Sequence, residues 1–323
     1  MKSTLQNVFL GAVFFAGLII SSPATAGEGW IENFEAAKKQ AAKENKDILI
    51  DFTGSDWCGW CIKLKDEVFT KAEFKKDAPK HFVLLELDYP RNKKQSPEIK
   101  AQNAKLQALF GIRGFPTIML VDAKGRPYAR TGYQRGGPDN YLKHLGELRH
   151  QKHTANKALA EAANEKGTAK AKALDGALAG IRAKLDGREP GSAEGLVVNT
   201  YTEVVDEIIE LDAKNEAGLK KKYVSIREAA ATKAALDEIM KSAGQGSSPE
   251  DFVKVASRVA KFIKDKKPKG EALQQALFSQ SLLNFRGGKK DEAKKLLQEA
   301  QKIAPDSAMG KRIEGILKNV FGG

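Results

Sequence analysis

The chain's only two cysteines stand three residues apart in Asp51-Phe-Thr-Gly-Ser-Asp-Trp-Cys-Gly-Trp-Cys61, after an apolar run that reads as a strand and before a stretch with helical spacing. Thiols so placed in a helix's first turn face one side and can close a small disulfide ring. A helix start offers unpaired amide groups and a partial positive charge, and both stabilise a thiolate. Cys58 is therefore expected to have a depressed pKa and to attack disulfides near neutral pH. Two plainer uses compete. Zinc needs four ligands, but there is no second cysteine pair, and His150 and His153 lie far along in a polar segment; no metal is expected. A purely structural bridge closing so small a ring would constrain little of the unfolded chain.

The flanking pattern alternates helix and strand. Helical spacing runs from Trp30 to Glu44 (Trp30, Phe34, Ala37, Ala41), and Asp47–Thr53 reads as a buried strand ended by Gly54-Ser-Asp56. A helix from about Cys58 to the Phe74 region should turn Leu64, Val68 and Phe69 inward. His81–Asp88 is a second strand. A helix carrying Ile99, Ala104, Leu106, Leu109 and Phe110 follows, then a third strand at Thr117–Asp122 and a returning fourth at Pro127–Gly132. Pro138-Asp139 opens a helix through Leu142, Leu145 and Leu148. The order predicts an α/β fold, a mixed sheet flanked by helices.

The remaining sequence is different in kind. Residues 154–195 form an Ala/Lys/Gly-rich helical spacer with Leu174, Leu178, Ile181 and Leu185, interrupted at Gly187–Ser192. Residues 196–323 read as an all-α array divided at Lys214–Glu216, Gly244–Pro249, Lys267-Pro268 and Gly287-Gly288. Ala293, Leu297, Ala300 and Pro305 have the spacing of the second helix of a tetratricopeptide repeat, whereas Leu277, Ser281 and Asn284 match its first helix poorly. At the front, Lys2, the apolar Val8–Ile20 and Ala24-Thr25-Ala26 have the parts of a secretory signal over residues 1–26. Its apolar core is shorter than the ~20 residues that span a bilayer; an uncleaved anchor is the competing reading. A mature chain starting near Gly27, secreted or periplasmic, with residues 27–153 as its first domain, is the expectation.

The 323 residues carry a net charge of +13. The excess is spread evenly: residues 27–153 hold 23 Lys and Arg against 17 Asp and Glu, and residues 154–323 hold 30 against 24. Such interleaving describes a solvated lysine-rich surface rather than a nucleic-acid-binding one. The 41% hydrophobic content suits a soluble globular chain, and no later stretch is long and apolar enough to span a membrane.

Two motifs in order, Trp57-Cys-Gly-Trp-Cys61 and Gly111-Ile-Arg-Gly-Phe-Pro-Thr117, make residues 30–150 resemble the thioredoxin superfamily. Within it they look closest to exported bacterial proteins related to the periplasmic domain of the disulfide-reductant transporter. The resemblance implies a thioredoxin-like fold and catalysis by Cys58 and Cys61, with a redox-active Cys58–Cys61 disulfide in place of any bound cofactor. It also implies a cis Phe115–Pro116 bond and a Phe115 backbone that binds an extended substrate strand. Asp51 matches the family's buried carboxylate, which handles the second cysteine's proton, only with one extra residue before the cysteines; it could instead be a peripheral strand residue. The family's lysine near that carboxylate is not evident, Leu84 or Leu85 being nearest its place. Gly59 and Trp60 lie between the cysteines, Trp60 replacing the commoner proline. Trp57 and Trp60 are expected to rim the site, although Trp57 can equally serve packing.

The implied activity is thiol–disulfide exchange with protein thiols and disulfides, leaning by analogy toward reduction, with an unidentified redox partner. The alternatives are a helical protein-binding adaptor on a thioredoxin-like platform, and a redox sensor whose disulfide state alters docking of the helices.

Overall fold

The computed structural model describes residues 29–186, 193–244 and 247–322. The expected leader (1–26), the Gly187–Ser192 interruption and Gln245-Gly246 of the loop before Pro249 lie outside the described residues.

The elements run β1 (Trp30–Ile31), α1 (Phe34–Glu44), β2 (Asp47–Thr53), α2 (Gly59–Leu64), α3 (Ala72–Asp77), β3 (Phe82–Asp88), α4 (Pro97–Leu109), β4 (Thr117–Val121), β5 (Pro127–Thr131) and α5 (Gly137–Ala162). Eight further helices follow: α6 (Gly167–Asp186), α7 (Glu194–Thr200), α8 (Thr202–Leu211), α9 (Leu219–Met240), α10 (Pro249–Lys266), α11 (Gly270–Arg286), α12 (Lys290–Ile303) and α13 (Ala308–Phe321). The first part is thus the expected α/β fold and the second the expected helical array. Five strands form one mixed sheet in the order β1-β3-β2-β4-β5; β1, β3 and β2 pair in parallel, and β4 runs antiparallel to both its neighbours, β2 and β5.

β2 lies in the middle and every one of its residues is buried, as expected of a strand covered on both faces. Its side chains alternate between two cores. Ile48, Ile50 and Phe52 pack with Phe34, Ala37 and Ala41 of α1 and Leu106 of α4, while Leu49 packs with Leu64, Val68, Phe69, Phe74, Tyr141 and Leu145. Asp51 belongs by alternation to the second face, beneath α2.

Three local expectations need correction. Trp30 is not helical: it pairs with Leu84 on the sheet edge and sets its ring 5.1 Å from Phe69, and α1 starts only after Asn33, whose side chain accepts the Ala36 N–H. The helix after the cysteines is not continuous to Phe74. It widens into a π turn over Lys65–Phe69, closed by Thr70 N–H on Lys65 O, which keeps Leu64, Val68 and Phe69 on the buried side together before α3 begins. Ala104 is exposed; Asn103 takes the inward place and donates from its side chain to Asp88 O.

α5 passes position 153 without a break. The core on the α1/α4 face continues into Leu174, Leu178 and Ile181 of α6, then Tyr201, Val205 and Ile208. The Tyr201 hydroxyl donates to Pro127 O (3.0 Å), and Lys124 pairs with Glu203 (2.9 Å), so α7 and α8 are fastened to the β4–β5 hairpin.

Candidate active site

The cysteine loop is held from below. β2 ends at Thr53, and the next residues hang on the end of β3: Ser55 donates its N–H (2.9 Å) and hydroxyl (2.6 Å) to the two oxygens of Asp88. Asp56 then accepts the backbone N–H groups of Arg91 and Asn92, which hold its carboxyl below the usual range. At Gly54 a Cβ would stand 2.5 Å from the Trp57 ring, so only glycine lets that ring fold back over the loop. Trp57 is half-buried, its Nε1–H donating to Tyr89 O (2.8 Å) and its ring meeting Phe115 edge-on.

Cys58 is the N-cap of α2. Its Sγ accepts the Cys61 N–H (3.2 Å), and its carbonyl accepts from Cys61 and Ile62. That sulfur sits where unpaired helix amides gather, the setting that favours a thiolate. Cys58 and Cys61 are joined by a disulfide and both are buried. Gly59 and Trp60 between them are exposed, Trp60 to 54%.

The second motif lies alongside. Thr117 pairs with Phe52 across β4 and β2, which brings Pro116 level with the end of β2 where the cysteine loop leaves. The Phe115–Pro116 bond is cis, as the resemblance implies. Phe115 packs against Tyr89 and Trp57, with ring centroids 5.1 and 5.7 Å away.

Asp51 is 5% exposed, and its Oδ1 has no hydrogen-bond partner. Burial pushes its carboxyl well above the ordinary range; Glu86 and Asp88 push the same way, and Lys65 opposes them. Glu86 is Asp51's register partner on β3 and is itself raised by burial, with Lys65 again opposing. The family's strand lysine is absent here, and the positive charge comes from the end of α2 instead.

Glu86 and Lys65 carry no motif in the sequence, although each leaves a trace. Glu86 is the one charged residue inside the apolar run Phe82–Leu87, and Lys65 follows Cys61 by one helical turn. Also unforeseen is the cluster beside Trp60: the Tyr133 ring lies 5.2 Å away, its hydroxyl donates to Glu67, and the Lys63 ammonium faces both rings. His150 and His153 have ring centroids 6.2 Å apart on α5, and no cluster of metal-ligating side chains occurs among the described residues.

Residues 34–148 match the family described as "Thioredoxin-like domain". The disulfide bond reductase DsbH of Chlamydia pneumoniae is 37% identical over 119 residues, covering 37% of this chain and 71% of that protein. The thioredoxin-related protein DsbJ of the same organism is 31% identical over 103 residues, covering 32% of this chain but only 30% of its relative. A solved structure described as a DsbH oxidoreductase is 32% identical, covering 39% of this chain and 90% of that one, with a TM-score of 0.35. The family match ends at residue 148, so α6 to α13 lie beyond it.

Proposed function

The chain belongs to the thioredoxin-like family of thiol–disulfide oxidoreductases, and from that premise we propose that it is an exported reductase of protein disulfides working through Cys58 and Cys61. The observation that carries this reading is the Cys58 sulfur at the cap of α2, accepting the Cys61 N–H, with the Phe115–Pro116 bond beside the cysteine loop. The DsbH relative, itself described as a disulfide bond reductase, supports the direction.

In the reduced protein the Cys58 thiolate attacks one sulfur of a substrate disulfide. A Cys58–substrate bond forms, the substrate S–S bond breaks, and the other substrate sulfur leaves as a thiolate that takes a proton from water. Asp51 then accepts the Cys61 proton; a carboxylate whose pKa is raised by burial is a stronger base than an ordinary one. The Cys61 thiolate attacks Cys58 Sγ, closing the Cys58–Cys61 disulfide and releasing the second substrate thiolate. Two electrons pass from the protein dithiol to the substrate. The structure describes the oxidised end of this cycle, and an external dithiol donor must return it to the start. Phe115 and Pro116 line the substrate strand, Gly59 leaves the approach to Cys58 open, and Trp60 supplies an apolar wall.

Cys61→Ser removes the resolving thiol. In the exported compartment it should accumulate reductant-sensitive adducts through Cys58, and Cys58→Ser should accumulate none. Absence of adducts with Cys61→Ser would overturn the exchange reading.

The leader pattern over residues 1–26 supports export, and no helix among the described residues is long and apolar enough to cross a membrane. For the helical array we propose a protein-binding role built on a tetratricopeptide-like hairpin. Support comes from α11 against α12: Leu277, Ser281 and Asn284 are all buried, opposite Ala293, Leu297 and Ala300, and the Ser281 hydroxyl donates to Ala293 O.

A further inference from the structure

Two cation–aromatic pairs flank the disulfide. On one side the Arg91 guanidinium lies 4.2 Å from the Trp57 ring centroid. On the other, the Lys63 ammonium lies 5.3 Å from Trp60 and 5.4 Å from Tyr133. Lys93 reaches the cysteine loop through the Ser55 hydroxyl, and the charge of Arg135 is felt at the Tyr133 hydroxyl. Lys63, Arg91, Lys93 and Arg135 are all exposed.

The acids nearby are more fully engaged. Asp56 is saturated by two backbone amides, Asp88 by Ser55, and Glu67 by the Tyr133 hydroxyl with Lys63 at 3.7 Å. Trp60 and its near neighbour Ile62 are themselves 54% and 40% exposed. Exposed apolar side chains beside exposed cations complement a polypeptide with an apolar residue and carboxylates beside its cysteine.

We propose that Lys63 and Arg91, set on Trp60 and Trp57, select substrate segments whose disulfide is flanked by acidic residues. This rests on the exchange reading above and names its substrate class. The cations face the incoming chain, while the rings beneath hold them in place. The chemistry is unchanged: protein dithiol and peptide disulfide give protein disulfide and two peptide thiols.

The test uses the full chain, reduced with a small dithiol that is then removed, in single turnover against symmetric peptide disulfides. The three peptides share an apolar neighbour and differ only in having Glu, Gln or Lys flanking the cysteine. Tryptophan fluorescence or thiol release gives the rates. The Glu peptide should react about 3- to 10-fold faster than the Lys peptide at roughly 20 mM salt, and the gap should close at about 0.5 M. In Lys63→Gln/Arg91→Gln the Glu-to-Lys rate ratio should fall to near one. A wild-type ratio near one at low salt overturns the proposal, as does a ratio that survives in the double variant. Where the double variant fails to fold, Lys63→Gln and Arg91→Gln taken singly should each lower the low-salt Glu-to-Lys ratio, and a ratio unchanged in both overturns the proposal. If the reduced chain reacts with none of the three peptides nor with a small disulfide reagent, it is the exchange reading that fails.

Discussion

Asp51 and Glu86 stand side by side in parallel register on β2 and β3, both carboxyls raised by burial and both opposed by Lys65 at the end of α2. The strand that leads into the cysteine loop thus shares its register with a second buried acid. Charge on Glu86 makes Asp51 harder to ionise.

Asp51→Asn should slow closure of the Cys58–Cys61 disulfide from a preformed mixed disulfide by at least about tenfold at neutral pH. Attack by Cys58 on small disulfides should change less. Quenched-flow trapping of the mixed disulfide separates the two steps; equal slowing of both would count against Asp51 as the base.

Glu86→Gln removes one of the charges that raise Asp51. The pH dependence of the closure step should therefore move to lower pH, and Lys65→Gln should move it to higher pH. Rates of closure across pH for the three proteins check the signs.

Stability follows from the same burial. Native Asp51 keeps its proton at pH values where the unfolded chain has lost it, so the native state binds more protons and its stability falls as pH rises above about 4. Asp51→Asn should abolish that loss, so its effect on stability should be more favourable at pH 8 than at pH 4. Urea unfolding at the two pH values measures it.

Asp88 anchors the cysteine loop through Ser55. Asp88→Ala leaves the Ser55 N–H and hydroxyl without their partner and should cost about 2 kcal/mol. Exchange should also slow, since the cap position of Cys58 depends on that loop. Denaturant unfolding and turnover on the same samples test both.

Tyr201→Phe deletes only the hydroxyl that reaches Pro127 O across the hairpin. The expected loss is about 1 kcal/mol, with exchange rates intact because the contact lies on the β4–β5 hairpin, outside the cysteine loop. A drop in the stability of the sheet as well as of the helices, seen by hydrogen exchange, would reflect their common core.

What the sequence disclosed was local chemistry. The cysteine pair, the strand before it, the proline after Phe115 and the helix–strand alternation are written in neighbouring residues. The relationship of Asp51 to Glu86 and Lys65 is not, because it joins two strands and a helix end through space. The spacing of Trp30 to Phe34 fits a helix, but the cap at Asn33 and the aromatic partners Phe69 and Phe74 draw it to the sheet edge instead. The π turn after Leu64 left no mark, since burial of Val68 and Phe69 fits a plain helix equally well. The composition shifts at residue 154, yet the backbone does not: neither glycine nor proline occurs between Gly146 and Gly167, and α5 simply continues.

That uninterrupted α5 has a mechanical meaning. Its 26 residues make a rod about 39 Å long, rooted against the sheet at one end and packed on α6 at the other. The sheet and α6 are therefore joined through one continuous helix rather than across a loop, which fixes the direction in which the chain leaves the sheet.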